Sequence, residues 1–357
     1  MYTLNPNLFI QIENGEFVLW DYDNHEQYAL ESDYLNRLLE WSKGSVTDTN
    51  SIDKELLEAN LLVREIPTEE KWGWDVLSHI FHKGTQNIPL TEKKLSNPDE
   101  WVDEYLDFCE GIIDKQPNLF TEHPGIIIEL PKPDISLYEE GKFINVLKDR
   151  QTCRVFNGET MPLNYLSTLL FTSFGLIHGE EWNELSENGL VATGMRKASA
   201  SGGGLHPEEA YVLVFHVEGL LPGLYHYRPQ DHKLTRLKEG EFEDKMIELL
   251  YDQYFSAGLA VGIFISGRFD KAWWKYQHSR AYRNVLLDIG HSSQTFQLCA
   301  TALGYQTWIT GAFQDTEVEK FLGIDGRTES ALFFVGAGIG KKQGIDQRTI
   351  DRLISRK

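Results

Sequence analysis

Residues 150–156 read Arg-Gln-Thr-Cys-Arg-Val-Phe. In an extended chain successive side chains point to opposite sides, so Arg150, Thr152 and Arg154 would project from the same side. Two guanidinium groups and a hydroxyl suit a phosphate, because guanidinium forms paired hydrogen bonds to phosphate oxygens and the hydroxyl adds another. The spacing alone favours two solvated arginines, so the phosphate interpretation depends on the rest of the chain.

A glycine-rich loop follows further along the chain and runs into a predicted strand. Residues 199–207 read Ser-Ala-Ser-Gly-Gly-Gly-Leu-His-Pro, and residues 208–211 continue as Glu-Glu-Ala-Tyr. Glycine has no side chain and lets the backbone come close to a flat ring or a phosphate. Ser201, Gly202 and Gly203 are therefore candidate ligand contacts, although a glycine-rich loop alone is weak evidence.

The most specific segment lies between residues 274 and 291. It contains Trp274-Lys275-Tyr276, followed by Arg-Ala-Tyr-Arg at 280–283 and Gly-His at 290–291. A lysine beside a tyrosine places an amine next to a phenol, and both groups can hold or move a proton. Judged without its neighbours, such a pair is more often a surface lysine beside a half-buried tyrosine.

Two further glycine segments complete the series. Gly311 follows a predicted strand, and residues 336–341 read Gly-Ala-Gly-Ile-Gly-Lys. The alternating glycines suggest a dinucleotide-binding fingerprint, but that motif needs a following helix, another strand and an acidic residue about 20 positions on. Only residues 341–357 remain after Gly340, so the Rossmann interpretation fails on context.

Taken in this order, the segments resemble the nitroreductase superfamily, and within it the McbC/SagB-type dehydrogenases that oxidise azoline rings in peptides. The resemblance covers residues from about 70 to 340. It implies an α+β nitroreductase-like fold and a homodimer with FMN at the subunit interface. Ala200 departs from the family pattern, which usually has proline there, and Thr152 replaces the commoner serine.

The resemblance also assigns the cofactor contacts. Arg150, Thr152 and Arg154 would hold the phosphate and ribityl chain of FMN, and the basic end at Lys341 would reach the phosphate as well. The backbone N–H of Gly311 would face flavin N5. The glycine-rich loop would complete the cofactor site through Ser201, Gly202 and Gly203.

The chemistry that the resemblance implies is the conversion of thiazolines or oxazolines to thiazoles or oxazoles. The ring loses a proton and a hydride, FMN takes the hydride at N5, and dioxygen reoxidises the flavin. Lys275 and Tyr276 match the family's catalytic pair. The Lys275 ammonium would lower the pKa of Tyr276 from its usual value of about 10, or a desolvated Lys275 would itself be the base. Because adjacent residues do not face each other on a helix or strand, the pair is predicted on a turn or at an element end, with both tips entering one pocket.

Three further residues are candidates for the substrate pocket, namely His206, Trp274 and His291. Each has an alternative role as a packed core side chain. No metal site is predicted, because the three cysteines are far apart and lack the spacing of zinc ligands.

Residues 136–357 are predicted to form the FMN-binding domain, preceded by a helical connecting region at 67–135. Helices that flank a mixed sheet indicate an α+β fold. Helices are predicted at 141–149, 162–174, 241–252, 279–303 and 315–322. Strands are predicted at 208–217, 224–227, 259–266, 305–310 and 330–337.

Residues 1–66 are predicted to form a small domain of their own. Apolar alternation over residues 8–12 indicates a strand, Asn14-Gly15 a hairpin turn, and Ser32 the cap of a following helix. A hairpin followed by helices resembles a PqqD-like winged helix, which clamps leader peptides. An N-terminal cap that only packs on the enzyme or its dimer mate is an equally good interpretation.

The composition limits the class of protein. The chain of 357 residues carries a formal net charge of −20, which disfavours nucleic acid and anionic membranes as partners. No run of about 18 apolar residues predicts a membrane span, and the start of the chain lacks the pattern of a signal peptide. These properties indicate a cytoplasmic protein with a small-molecule or peptide substrate.

Three functions remain to be compared. The first is an azoline oxidase that acts on a peptide with a leader, beside a cyclodehydratase partner. The second is an NAD(P)H-dependent nitroreductase-like enzyme, against which the Lys-Tyr pair and the extra N-terminal region argue. The third is a non-catalytic scaffold that binds leader peptide in a synthetase complex, against which the intact cofactor motifs argue.

Overall fold

The computed structural model describes residues 2–64, 72–86, 98–139, 142–178, 196–341 and 347–356. Contacts divide the chain into two compact units, Met1–Glu92 and Lys93–Lys357. The boundaries expected at residues 66 and 135 stay predictions, and much of the expected connecting region lies within the second unit. No helix in the described ranges is both long and apolar enough to span a membrane.

The first unit contains the predicted hairpin and helices. Asn14 and Gly15 both have positive φ, as the turn of this hairpin requires. The expected cap at Ser32 is wrong, because Glu31 occupies the N-cap without a side-chain hydrogen bond and Ser32 is the first helical residue. The elements are β1 (Thr3–Leu4), β2 (Leu8–Glu13), β3 (Glu16–Asp21), β4 (Glu26–Leu30), α1 (Ser32–Ser42), α2 (Ser51–Glu58), β5 (Leu62–Val63) and α3 (Val76–Gly84).

Two small antiparallel sheets organise this unit, one with the order β2-β3-β4 and one that pairs β1 with β5. Leucines from β3, both helices and the β5 region form its core, namely Leu19, Leu38, Leu56, Leu61 and Leu62. The apolar pattern of the sequence therefore supplies a separate small core, while the winged-helix assignment stays a prediction.

The second unit is built on a seven-stranded sheet with the order β11-β12-β10-β7-β8-β9-β6. Its strands pair antiparallel, and parallel pairing enters at isolated bridges such as Thr152 with Thr307. The strands are β6 (Ile126–Glu129), β7 (Glu208–Val214), β8 (Gly223–Arg228), β9 (Lys233–Glu239), β10 (Val261–Arg268), β11 (Gln306–Thr310) and β12 (Glu329–Gly338).

Helices cover this sheet, so its central strands are buried along their length and are rich in apolar residues. The five predicted helices of the domain are confirmed to within a few residues at each end, where the structure describes those ends. The helices are α4 (Pro98–Ile112), α5 (Phe143–Asp149), α6 (Leu163–Phe174), α7 (Glu243–Leu249), α8 (Phe269–Lys275), α9 (Ala281–Ala302), α10 (Asp315–Leu322) and α11 (Gln347–Ser355).

The antiparallel pairing of β7 with β10 places two of the predicted segments side by side. The glycine-rich loop leads into the start of β7, and α8 follows the end of β10. Glu208 at the start of β7 pairs with Gly267 near the end of β10, so the loop and α8 lie at the same end of the sheet. The fold thereby brings together segments that are far apart in the sequence.

Candidate active site

Lys275 and Tyr276 lie at the end of a helix, as predicted. Lys275 is the last residue of α8, and Tyr276 is its C-cap with extended backbone angles. The Tyr276 N–H donates to the carbonyl of Ala272 at 2.8 Å, which closes the last turn. The change from helical to extended backbone lets two adjacent side chains point into one region.

The tips of this pair converge on the glycine-rich loop. Lys275 Nζ donates to the carbonyl oxygen of Gly203 at 3.4 Å. A Cβ added to Gly203 would collide with the Tyr276 hydroxyl and would come within 3.2 Å of Lys275 Nζ. Gly203 also has a φ of 64°, a conformation that other residues rarely adopt. Both its backbone conformation and the space around it therefore require glycine.

Asp288 on α9 anchors the glycine-rich loop, a role that the sequence analysis missed. Ser201 Oγ donates to Asp288 Oδ2 at 2.7 Å, and the backbone N–H of Gly202 donates to the same oxygen at 3.2 Å. Ser201 Oγ also accepts from the N–H of His206 at 2.9 Å. The carboxylate thus holds Gly203 in place against the Lys-Tyr pair.

Lys275 has an unusual environment for a buried lysine. Lys271, one turn earlier on α8, forms an ion pair with Glu209 at 3.3 Å, and buried Lys197 pairs with Glu208 at 3.0 Å. Within the described ranges no carboxylate lies in ion-pair distance of Lys275, which is only 3% exposed. Burial lowers the pKa of Lys275, and the nearby Cys109 opposes this only in part. The lowered pKa favours the neutral amine more than in an ordinary lysine, and the neutral amine is the form a base requires.

The expected lowering of the Tyr276 pKa is wrong. Burial raises the pKa of its phenol, and the charge of Asp288 raises it further. The predicted ammonium effect of Lys275 does not overcome these two causes. Tyr276 therefore keeps its proton at neutral pH and can donate a hydrogen bond.

A cavity of about 460 Å³ opens beside Tyr276. Its described walls carry no carboxylate, lysine or arginine and are largely aromatic, with Phe269, Trp273 and Tyr282 among them. Trp273, which is half exposed, lines this cavity, whereas its neighbour Trp274 does not. Tyr276 lines this cavity and Lys275 does not, so the expectation that both tips enter one pocket does not hold for it. The cavity can receive an uncharged ring or side chain next to Tyr276.

The three residues proposed for the substrate pocket lie elsewhere. Trp274 is buried in an apolar cluster, and its indole N–H donates to the carbonyl of Ile112 at 2.8 Å. His206 is buried with its Nδ1 3.4 Å from Glu208. His291 is largely exposed and contacts the carbonyl of Ala200 through Nδ1 at 3.0 Å. These contacts favour packing and loop-supporting roles for the three side chains.

A buried network of charged side chains contacts both the glycine-rich loop and α8. Glu209 accepts from Thr121 Oγ1 at 2.8 Å and contacts His226 Nε2 at 3.0 Å, in addition to its ion pair with Lys271. Burial by itself raises the pKa of Glu209, but Lys271 and His226 lower it well below the ordinary range. Lys271 Nζ also donates to the carbonyl of His206 at 3.3 Å, which ties the network to the loop.

The proposed phosphate-binding segment runs beside the open edge of β11. Thr152 forms a parallel bridge with Thr307, and the N–H of Cys153 donates to the carbonyl of Thr307 at 2.8 Å. The N–H of Lys341 donates to the carbonyl of Val155 at 3.1 Å, so the two predicted basic segments are neighbours. Arg150, Thr152 and Arg154 are each half-buried, whereas Cys153 is buried between them.

Gly311 stands at the opposite end of β11 from Thr307, where its backbone is exposed. The glycine-rich loop lies apart from the phosphate-binding segment, within the same unit. It is anchored at Asp288, whereas Thr301 on the same helix lines a small cavity with Thr152. Asp288 and Thr301 are thirteen positions apart on this helix, which corresponds to about 20 Å. The predicted site residues therefore fall into two groups that lie apart within one chain.

Comparison with known proteins identifies relatives of this second unit. A model described as the nitroreductase family matches residues 147–339, more than half of the chain. MJ1384 of Methanocaldococcus jannaschii, whose name assigns it to the nitroreductases, is 30% identical over 200 residues. That match covers 56% of this chain and 92% of the relative.

Two more comparisons extend this result. The trifolitoxin-processing protein TfxB of Rhizobium leguminosarum bv. trifolii is 30% identical over 149 residues, and the match spans 40% of each chain. A solved structure of an Anabaena variabilis protein assigned to the nitroreductases aligns with a TM-score of 0.55 and 21% identity. It covers 77% of this chain and 49% of that chain, and it shows the same fold.

Proposed function

The chain belongs to the nitroreductase family, and on this basis we propose that it is an FMN-dependent dehydrogenase that oxidises thiazolines or oxazolines in a peptide to thiazoles or oxazoles. The observation that carries the proposal is the meeting of Lys275 Nζ and the Tyr276 hydroxyl at Gly203. A buried lysine without a carboxylate partner is costly for stability, which supports a role in proton transfer.

FMN is the cofactor that these residues fit. The half-buried Arg150, Thr152 and Arg154 share one strand-like segment, and the basic residue Lys341 lies beside it. Guanidinium groups with a hydroxyl match the hydrogen-bonding needs of a phosphate. Gly311 offers exposed backbone at the end of β11, where a ring can approach closely. When bound, FMN supplies the hydride acceptor for the reaction.

Lys275 and Tyr276 divide the remaining chemistry between them. The neutral amine of Lys275 removes the proton from the azoline ring, which breaks one ring C–H bond and forms an N–H bond on the lysine. Tyr276 stays protonated and orients the ring by donating a hydrogen bond. The aromatic cavity beside Tyr276 takes the residues next to the ring.

A homodimer would complete the site. The two groups of cofactor residues lie about 20 Å apart along α9, and a second copy could bring one group to the other. Helices α5 and α9 pack together and expose large apolar side chains on the same unit. These are Phe143, Ile144, Leu147, Leu286 and Leu287. An exposed apolar surface of this kind is typical of a subunit interface.

The peptide nature of the substrate is supported by the relative TfxB, which is named as a trifolitoxin-processing protein. We assign leader binding to the first unit, where β2 is an edge strand that exposes Ile10 and Ile12. An extended peptide can add to such an edge through backbone hydrogen bonds. A cyclodehydratase that forms the azoline ring would be the natural partner.

The test of this function is an anaerobic titration of the purified protein with NADH and NADPH, followed at the flavin absorbance at about 450 nm. We expect a yellow protein that neither nucleotide reduces but that an azoline-containing peptide bleaches. Rapid bleaching by NADH or NADPH would instead assign the protein to the nitroreductase-like reductases. A colourless protein that cannot be loaded with FMN would favour the scaffold function.

Substitution of Arg150 tests the phosphate assignment. Arg150→Ala should weaken FMN binding by about 10- to 100-fold, since each hydrogen bond to a charged group contributes roughly 1.5–3 kcal/mol. The measurement is the dissociation constant of FMN from the apoprotein, by fluorescence. Arg352→Ala, at an exposed position of α11, is the control and should bind FMN as the parent does. Equal affinity in both variants would remove Arg150 from the cofactor site.

A further inference from the structure

Helix α4, which carries none of the sequence motifs, packs directly against the Lys-Tyr pair. The indole N–H of Trp274 donates to the carbonyl of Ile112, the last residue of α4, at 2.8 Å. Ile112 and Trp274 then share an apolar cluster with Leu205, which follows the glycine-rich loop. The end of α4 is thus fixed relative to both α8 and the loop.

One aromatic ring of α4 faces the amine of Lys275. Lys275 Nζ lies over the ring of Tyr105, 5.7 Å from its centroid. The Tyr105 ring stacks on Trp101, one turn earlier, with the centroids 5.5 Å apart and an angle of 6° between the planes. The stacking fixes the orientation of the Tyr105 ring, so its face stays available to the amine.

We propose that Tyr105 is a positioning residue for Lys275, whose ring holds the amine against the carbonyl of Gly203 from the side of α4. An aromatic face attracts an ammonium group and attracts it more strongly when water is excluded. The ring and the Gly203 carbonyl together replace the carboxylate that Lys271 and Lys197 each have. This arrangement keeps the buried amine in one place while leaving it able to lose its proton.

The titratable groups around Lys275 come from three helices. Tyr105 and Cys109 face it from α4, and Tyr276 adjoins it at the end of its own helix. Lys271 lies one turn earlier on α8. Asp288 of α9 accepts from the N–H of Gly202 in the loop, and its charge raises the pKa of Tyr276. Tyr105 also hydrogen-bonds Cys109, which acts on Lys275. Tyr105→Phe removes that hydrogen bond but keeps the ring, so it separates the effect of the ring on the proton affinity of Lys275 from that of the hydroxyl.

The inference deepens the proposed function, but its main test does not depend on that function. The protein is labelled with lysine carrying ¹³C at Cε, and the Lys275 signal is identified by its loss in Lys275→Arg. The pH at which this signal titrates is then measured by NMR for each Tyr105 variant. Neither substrate nor turnover is needed, so the test stands even if the azoline activity is absent.

Four substitutions of Tyr105 give three different expected results. Tyr105→Phe keeps the ring and should leave the titration midpoint unchanged. Tyr105→Met and Tyr105→Leu replace the ring with an apolar chain, and each should lower the midpoint by roughly one pH unit, since the cation–π contact is lost. Tyr105→Ala should raise the midpoint, because water entering the vacated space restores the hydration of the ammonium. Val102→Ala, on the same helix, is the control and should not shift it.

An unchanged midpoint in Tyr105→Met and Tyr105→Leu would overturn the proposal, as would a shift in Tyr105→Phe equal to theirs. If the azoline activity is present, the pH midpoint of kcat should move in the same direction as the NMR midpoint. Loss of kcat with the NMR midpoint unmoved would assign Tyr105 a purely structural role.

Discussion

Lys275→Met should retain bound FMN and lose azoline turnover by about 10²- to 10⁴-fold, the range that a positioned general base contributes. Methionine fills most of the lysine volume but cannot take a proton. Because Lys275 contacts the glycine-rich loop and lies apart from the phosphate-binding segment, the affinity for FMN should change little. The measurement compares kcat with the FMN content of the same preparation.

Two further variants test whether Lys275 acts as a base or only as a positive charge. Lys275→Arg keeps the charge but cannot lose it at usable pH, so it should be as inactive as Lys275→Met. Lys320→Met, at a largely exposed position, should retain full turnover. In the parent enzyme kcat should rise with pH as Lys275 loses its proton, with a midpoint below 10.5 because burial lowers the pKa of this amine. Full activity of Lys275→Arg would remove the base from the mechanism.

Tyr276 has a different expected pH dependence. Burial and Asp288 raise the pKa of its phenol, so the hydroxyl remains a donor across the neutral range. Tyr276→Phe should therefore also lower turnover while retaining FMN, but without moving the midpoint of kcat that belongs to Lys275. The two neighbours can in this way be distinguished by their pH profiles.

The sequence identified this pair but not its surroundings. The position of Lys275 and Tyr276 at a helix end followed from the rule that adjacent side chains diverge within regular structure. Asp288 and Tyr105 could not be found in this way, because they reach the site only when α9 and α4 pack beside the loop. The direction of the Tyr276 pKa depends on burial, which no local pattern reveals.

For the fold, too, the sequence predicted some strands and missed others. The central strands β7 and β10 are rich in apolar residues and were predicted within a few residues. Of the missed strands, β6 forms the edge of the sheet and β9 lies next to it. The first stands among prolines, which edge positions tolerate, and the second carries mostly polar side chains on a partly solvated surface. Edge strands depend on their neighbours for pairing, and a single sequence does not show those neighbours.

The buried charged network around Glu209 is expected to contribute strongly to the stability of the protein. Glu209→Ala should destabilise the protein by about 3–5 kcal/mol, because it leaves Lys271 buried without its carboxylate. The midpoint of denaturant-induced unfolding measures this loss. Glu129→Ala removes a carboxylate from an exposed ion pair with Lys233 and should cost no more than about 1 kcal/mol.

A double substitution tests whether the cost comes from the orphaned lysine rather than from lost packing. Adding Lys271→Met to Glu209→Ala removes the uncompensated charge and should recover much of the stability, since a buried ion pair contributes little beyond its apolar replacement. No recovery in the double variant would mean that Glu209 stabilises the fold through Thr121 and His226 instead.

The neighbouring Glu208 predicts how this network responds to acid. Burial acts to raise its pKa, but Lys197 and His206 outweigh burial and lower the pKa to about 2, against 4.5 for an ordinary glutamate. A carboxylate with a depressed pKa stabilises the folded state fully above the unfolded value and loses that contribution as the pH falls through the folded value. Stability should therefore decline between pH 4.5 and about pH 2. Because Glu208 contacts His206 at the end of the glycine-rich loop, the contact of this loop with Lys275 should weaken in the same interval.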